Sequence, residues 1–278
     1  MVGIRLSFVK TSRMKFCLVD KWILITGASS GFGAAAAKAF GAEGAKLLLG
    51  ARRMDRLEKV AGDARKSGSP EAHVHKLDVS KTPSVNAFAE WAKNKIGKEI
   101  PLDVLINNAG GALGMDTVAE GKDEDWETML QTNVLGVLRM TRAALPLMSG
   151  NPGGSIINIG SFAAHAVYEG GSAYCAAKAG ELQITRTLRL ELNGTGLRVS
   201  SIDPGLAETE FSIVRFKGDR TRAQKPYEGV NPLTAEDVAE ILVWVASRPA
   251  HVNIDNMLIK PVDQAAMHKV FRRPSAAK

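Results

Sequence analysis

At 278 residues, 45% hydrophobic and with a mean hydropathy of −0.05, the chain has the apolar content for a sizeable core but no run long enough to span a bilayer. Its two cysteines, Cys17 and Cys175, are too few for a disulfide framework, and no His/Cys/Asp spacing reads as a metal site. The net charge of +7 would suit a nucleic-acid partner, yet much of the excess sits at the ends (Arg5, Lys10, Arg13, Lys15 and Lys21; Lys269, Arg272, Arg273 and Lys278), without aromatic and basic interleaving in the body. No nucleic-acid or membrane partner is expected, and the reading is a protein of a reducing, cytoplasmic compartment.

Residues 1–18 form a basic leader ahead of and around Met14. It is either an upstream start or a loose segment, and its lack of acids also fits a mitochondrial-type leader. Trp22 to Thr26 is a short apolar run that reads as a buried strand. Gly27, Gly31 and Gly33 then make a G-x-x-x-G-x-G loop, with Phe32 inside it, opening into an Ala-rich helix. Glycines let backbone approach a phosphate, and a helix N-terminus offers free N–H groups and a positive dipole end. Ser29 and Ser30 add hydroxyl donors.

Ala45 to Gly50 reads as the second strand. Where a dinucleotide fold usually places an acid for the adenosine ribose, this chain has Arg52 and Arg53. Guanidinium forks suit a 2′-phosphate, so NADP is expected rather than NAD. A third strand, His73 to Ser80, ends in Asp78 and Val79. Asp78 either accepts from an adenine amino group or caps the next helix. The fourth strand, within residues 101–111, runs into Asn108, Ala109 and Gly110, which leave room for backbone contact with a ribose. Asn107 is expected to tie neighbouring strands together.

A long helix follows and carries Asn133, whose mid-helix amide marks a kink or a water site. The strand SIINIG leads to Ser161. Thirteen positions later comes Tyr174, and four beyond that Lys178. Tyr174 and Lys178, at i and i+4, share one helix face. An ammonium beside a phenol favours the phenolate, and such a Tyr moves a proton at an alcohol or carbonyl. The loop from Phe162 to Ser172 is expected to select the substrate. A sixth strand ends at Pro204 and Gly205, and residues 206–231, with Thr209 facing the cofactor, read as a mobile substrate lid. In that lid Arg215 is a candidate for a substrate carboxylate, or else a structural partner of Glu210 or Asp219. A helix (Thr234 to Ser247) and a last strand (NMLIKPV) complete a domain at 19–265, and 266–278 is a basic tail. Strands alternate with helices, which predicts an α/β, doubly wound, Rossmann-like parallel sheet of about seven strands. The candidate residues fall at the strands' carboxyl ends, where such sheets bind ligands.

TGASSGFG, NNAG, the helix Asn133, Ser161, YCAAK and DPG, in this order, resemble the short-chain dehydrogenase/reductase family over about residues 19–265. ALGM, EDWETM, TEFSIVRFKGD, PLTAEDVAE and PAHVNI are similar to its NADP-dependent 3-hydroxy acid dehydrogenases, which act on serine, allo-threonine and related compounds. Two departures are the leader before Met14 and DPGLAETEF, whose short turn shifts the lid's start. The resemblance implies a catalytic set of Asn133, Ser161, Tyr174 and Lys178. In it Tyr174 donates and accepts the proton, Lys178 tunes it and bonds the nicotinamide ribose, Ser161 orients the substrate oxygen, and Asn133 holds a water in a proton relay. It also implies a homotetramer pairing the Asn133 and Tyr174 helices. The other readings are a broad-range NADPH-dependent carbonyl reductase and a non-catalytic NADP-binding regulatory protein.

Overall fold

The computed structural model describes residues 18–97 and 99–274. Cys17, the rest of the expected leader up to that point, Lys98 and residues 275–278 lie outside the described residues. Seven parallel strands form one sheet: β1 (Trp22–Thr26), β2 (Lys46–Ala51), β3 (Ala72–Lys76), β4 (Val104–Asn107), β5 (Ser155–Ile159), β6 (Arg198–Pro204) and β7 (Asn256–Ile259). Their order is β3-β2-β1-β4-β5-β6-β7. The chain therefore reverses its direction of travel between β1 and β4, and a crevice opens there at the carboxyl ends.

Both faces of the sheet are covered, which is why β1, β4, β5 and β6 are buried along their whole length; β1, β4 and β5 are mostly apolar, while β6 buries Arg198, Ser200, Ser201 and Asp203 as well. On one side, α1 (Gly31–Ala42), α2 (Met54–Ser67) and α9 (Ala235–Ala246) bury Phe40, Leu57 and Leu242 against the strands. On the other, α3 (Thr82–Ile96) and α5 (Gly136–Met148) supply Phe88, Met140 and Met148. The α9 N-terminus is held by a reciprocal pair in which Thr234 and Asp237 each satisfy the other's backbone N–H.

Several boundaries differ from the sequence reading. β3 stops at Lys76, so Asp78 and Val79 stand in the loop beyond it. Asp78 Oδ1 accepts from the backbone and hydroxyl of Ser80, and the residue capping α3 is Lys81. Helices α4 (Asp123–Leu130) and α5 are joined without a break by one wide turn of π-helix, Gln131–Leu135, centred on Asn133. The segment 206–231 is helical in short pieces: α7 (Phe211–Arg215), α8 (Arg220–Gln224) and a 3₁₀ turn at Lys225–Tyr227. Residues beyond 265 fold back on this segment, where Arg273 donates its backbone N–H to Gly229 O and its guanidinium pairs with Asp263.

Candidate active site

The crevice begins at the glycine loop after β1. Gly27 holds a left-handed backbone (φ +66), and a Cβ built on it would lie 2.8 Å from Ala109 Cα; one on Gly33 would lie 2.5 Å from Asn108 Nδ2. Bare backbone is therefore obligatory where these two loops meet. Thr26 locks the meeting point: its Oγ1 accepts from the backbone N–H of Asn108 (3.0 Å) and Ala109 (2.9 Å). The Asn108 amide in turn donates to Thr26 O and Gly27 O. Thr26 is a site residue that the sequence reading passed over as part of the strand.

The far end of the crevice is basic. Arg53 Nη2 donates to Ser30 Oγ at 2.7 Å and reaches Ser29 Oγ at 3.3 Å, so the guanidinium and both hydroxyls converge on one spot. Arg52 lies exposed beside Asp78, and both line the same crevice with Val79, Gly110, Thr209 and the nicotinamide-side candidates Tyr174 and Lys178. An NADP-type cofactor fits this donor set: a glycine cradle closed to any Cβ, a helix N-terminus, hydroxyls, and arginines at the β2 end. Glu210, from the segment expected to be a lid, accepts from Arg53 at 3.1 Å and from Arg56 at 2.6 Å. Burial opposes the Glu210 charge, but the bonds from Arg56 and Arg53 hold its carboxyl below the usual value. Arg56 is a second residue the sequence reading missed; its place one turn into α2 was the available signal.

Tyr174 sits where two cavities join. The first is the crevice just described. The second is lined by Ser161, Phe162, Tyr168, Pro204, Gly205 and Arg215, and the two share Phe32, Gly160, Tyr174, Thr209 and Phe211. Helix α6 (Ser172–Glu191) carries Tyr174 and Lys178 on one face, both almost fully buried. Lys178 Nζ donates to Ile159 O and to Glu181 Oε2, each at 2.7 Å. Burial works against its charge, yet the Glu181 carboxylate and Tyr174 more than offset this, so its pKa stands above the ordinary value. Asn133 fixes the opposite wall. Its Nδ2 donates to Met129 O and Gly111 O, while Oδ1 accepts from Gly111 N–H. Ser161 begins the 3₁₀ turn Phe162–Ala164, and its Oγ accepts from Ala163 N–H at 3.1 Å, which leaves the hydroxyl proton free to donate.

Arg215 is the second cavity's buried cation. It is 8% exposed, its Nε donates to Gly114 O, and its guanidinium lies over the rings of Tyr168 and Tyr174. Neither acid weighed as its partner takes that place: Glu210 serves Arg53 and Arg56, and Asp219 caps α8. Among the described residues no carboxylate pairs with Arg215. Burial pushes the neighbouring Tyr168 hydroxyl up to about 12, so that ring stays neutral. Met267, Val270 and Arg272, from the segment set aside as a tail, also line this cavity.

Among the described residues no group of three or more His, Cys, Asp or Glu is placed to hold a metal ion, and no helix is long and apolar enough to cross a membrane. The family model for short chain dehydrogenases matches residues 21–219. The chain is 42% identical over 257 residues to an NADP-dependent 3-hydroxy acid dehydrogenase of Schizosaccharomyces pombe, covering 92% of this chain and 98% of that one. It is 40% identical over 256 residues to a serine 3-dehydrogenase of Agrobacterium fabrum, covering 90% and 98%. A solved structure of the closed form of a serine dehydrogenase complexed with NADP+ superposes with a TM-score of 0.82 at 40% identity, covering 91% of this chain and all of that one. With a family model spanning most of its sheet and relatives matched nearly end to end, the chain belongs to the short chain dehydrogenase family.

Proposed function

We propose that the protein is an NADP-dependent oxidoreductase that interconverts a small 3-hydroxy acid, of the serine, allo-threonine or 3-hydroxyisobutyrate type, with its 3-oxo form. The observation that carries the reading is Tyr174 at the junction of two cavities, one built for a phosphorylated dinucleotide and the other holding a buried arginine without a carboxylate partner. NADP supplies the two-electron exchange with the hydroxyl-bearing carbon. Everything else falls to the chain. Gly27, Gly31, Gly33 and the α1 N-terminus hold the pyrophosphate. Ser29, Ser30, Arg52 and Arg53 would hold the adenosine end, with Asp78 and Val79 beside the base, and Phe32 the part of the cofactor that meets the second cavity. Asn108, Ala109 and Gly110, with Lys178, Pro204, Gly205 and Thr209, hold the nicotinamide half.

In the oxidative direction Tyr174 takes the proton from the substrate hydroxyl, with the Lys178 ammonium favouring the phenolate so formed. Ser161 donates to the same oxygen as charge develops on it, and a donor aimed there is worth about 10²–10³ in rate. Asn133 would hold a water that links Lys178 to solvent and relays the proton. Phe162 packs against the substrate's carbon skeleton, and Arg215 takes its carboxylate, which needs a counter-charge once water is excluded. Residues 206–231 act as the lid of a single domain that begins at about residue 19 and takes in the segment beyond 265 lining the second cavity, in a cytoplasmic homotetramer. The test is a set of initial rates with NADP+ and NAD+ on serine, allo-threonine, 3-hydroxyisobutyrate and a neutral secondary alcohol. The acids should turn over at least tenfold better than the neutral alcohol, and only with NADP+. A preference for the neutral alcohol would make the protein a general carbonyl reductase.

A further inference from the structure

Lys178 is gripped by an acid that the reaction scheme above leaves unused. Glu181 lies three residues further along α6, fully buried. Its Oε2 accepts from Lys178 Nζ at 2.7 Å, and its Oε1 has no hydrogen-bond partner among the described residues. A carboxylate with one bare oxygen is costly at such depth, and an apolar side chain would fill the same space more cheaply. Its placement makes sense only through the ammonium that it touches. Of the three donors on Lys178, one goes to Ile159 O on β5 and one to Glu181, so the direction of the third is fixed by these two.

The charged neighbours of this pair are few. On α6 the titratable neighbour is Tyr174. From β6 comes Asp203, buried and bonded to Ser201, Asn256 and His165, the last on the turn that follows Ser161. The π turn contributes the neutral Asn133, whose Oδ1 and Lys178 Nζ both border Gly110. Asp203 and Lys178 act on Glu181 in opposite senses.

We infer that Glu181 is a positioning residue of the Tyr174–Lys178 pair: it fixes the Lys178 ammonium through Oε2 and cancels part of its charge, and so sets how strongly that cation acts on the Tyr174 hydroxyl. This rests on the reading of Tyr174 and Lys178 as the working pair. With Glu181 ionised, Tyr174 faces an ion pair; with Glu181 neutral, it faces a bare cation. Burial, against the pull of Lys178, pushes Glu181 up to about 7, so the two conditions exchange within the working range of pH. At the effective dielectric of about 20 that holds inside proteins, a nearby unit charge moves a titration by about one pH unit or more.

The chain has three tyrosines, and burial raises the other two, Tyr168 and Tyr227, above their ordinary value. Tyrosinate absorbance of the cofactor-free enzyme can therefore be followed against pH, and the Tyr174 step is the one that Tyr174→Phe abolishes. Glu181→Gln, which keeps the shape and the acceptor but not the charge, should move that step about one unit to lower pH. The acid limb of kcat/KM for oxidation should move with it. Glu181→Asp, which keeps the charge, should hold the step near the wild-type position. If Glu181→Gln does not fold, Glu181→Met carries the same test with an apolar filler. A step that stays put, or moves up, while only the melting temperature falls would reduce Glu181 to a structural acid and overturn the inference. Failure of the function itself would look different, as wild-type enzyme that turns over none of the hydroxy acids while the titration remains measurable.

Discussion

Arg215 carries the argument for an acidic substrate on a single side chain. A guanidinium 8% exposed, laid over two aromatic rings and without a carboxylate partner, is stable only while something answers its charge. The rings and Gly114 O answer part of it, and an incoming carboxylate would complete it. Replacing Arg215 by Leu should therefore lower kcat/KM for serine by about tenfold to a hundredfold, the worth of one charge-assisted contact, while sparing a neutral alcohol. Equal losses on both substrates would make Arg215 a residue that folds the lid. At this scale the sequence was informative where chemistry demands a fixed spacing, as for Tyr174 and Lys178 on one face of α6. It was silent on Thr26, Arg56 and Glu181, because each acts through a partner from another element, and only the packed sheet brings the two together.

Among the elements, the segment expected to be a lid meets the cofactor crevice through Thr209, Glu210, Phe211 and Val214. Glu210, just ahead of α7, holds Arg53 and Arg56 of α2, and Arg53 is also the fork expected to meet a 2′-phosphate. The carboxylate and the phosphate compete for the same cation. Glu210→Gln should free both arginines and lower the KM for NADP+ about two- to fivefold, as suits a half-exposed ion pair. A raised KM would mean that Glu210 closes the lid over the cofactor instead of competing with it. The central strands β1 and β4 were legible in the sequence because a sheet covered on both faces needs apolar runs there. The lid was not: α7 and α8 are five residues each, too short to show a helical period, and they owe their form to contacts such as the Ser212–Tyr227 hydroxyl bond. Asn133 was recognised as a helix irregularity, but the form it takes, a π turn gripping Gly111, depends on a loop twenty-two residues away.

For the whole molecule, the outer face of the α4–α5 helix leaves Leu130, Leu135 and Leu138 exposed, and α6 leaves Leu190 exposed near its end. On α6, Leu182 and Leu188 are buried within the subunit, so the exposed apolar surface is narrower than the helix's composition suggests. An apolar stripe on two adjacent long helices still asks for cover, and a tetramer built on it should give four times the chain mass of 29.7 kDa in light scattering at micromolar concentration. A monomer mass would remove the tetramer. The central claim, however, is that Tyr174 moves the proton in an NADP-linked oxidation. Its most direct measurement compares Tyr174→Phe with wild type for NADPH binding and for turnover of serine with NADP+. The account predicts unchanged binding and a kcat lowered by about 10²–10⁴; a variant keeping more than about a tenth of the wild-type kcat would show that the proton travels by another group.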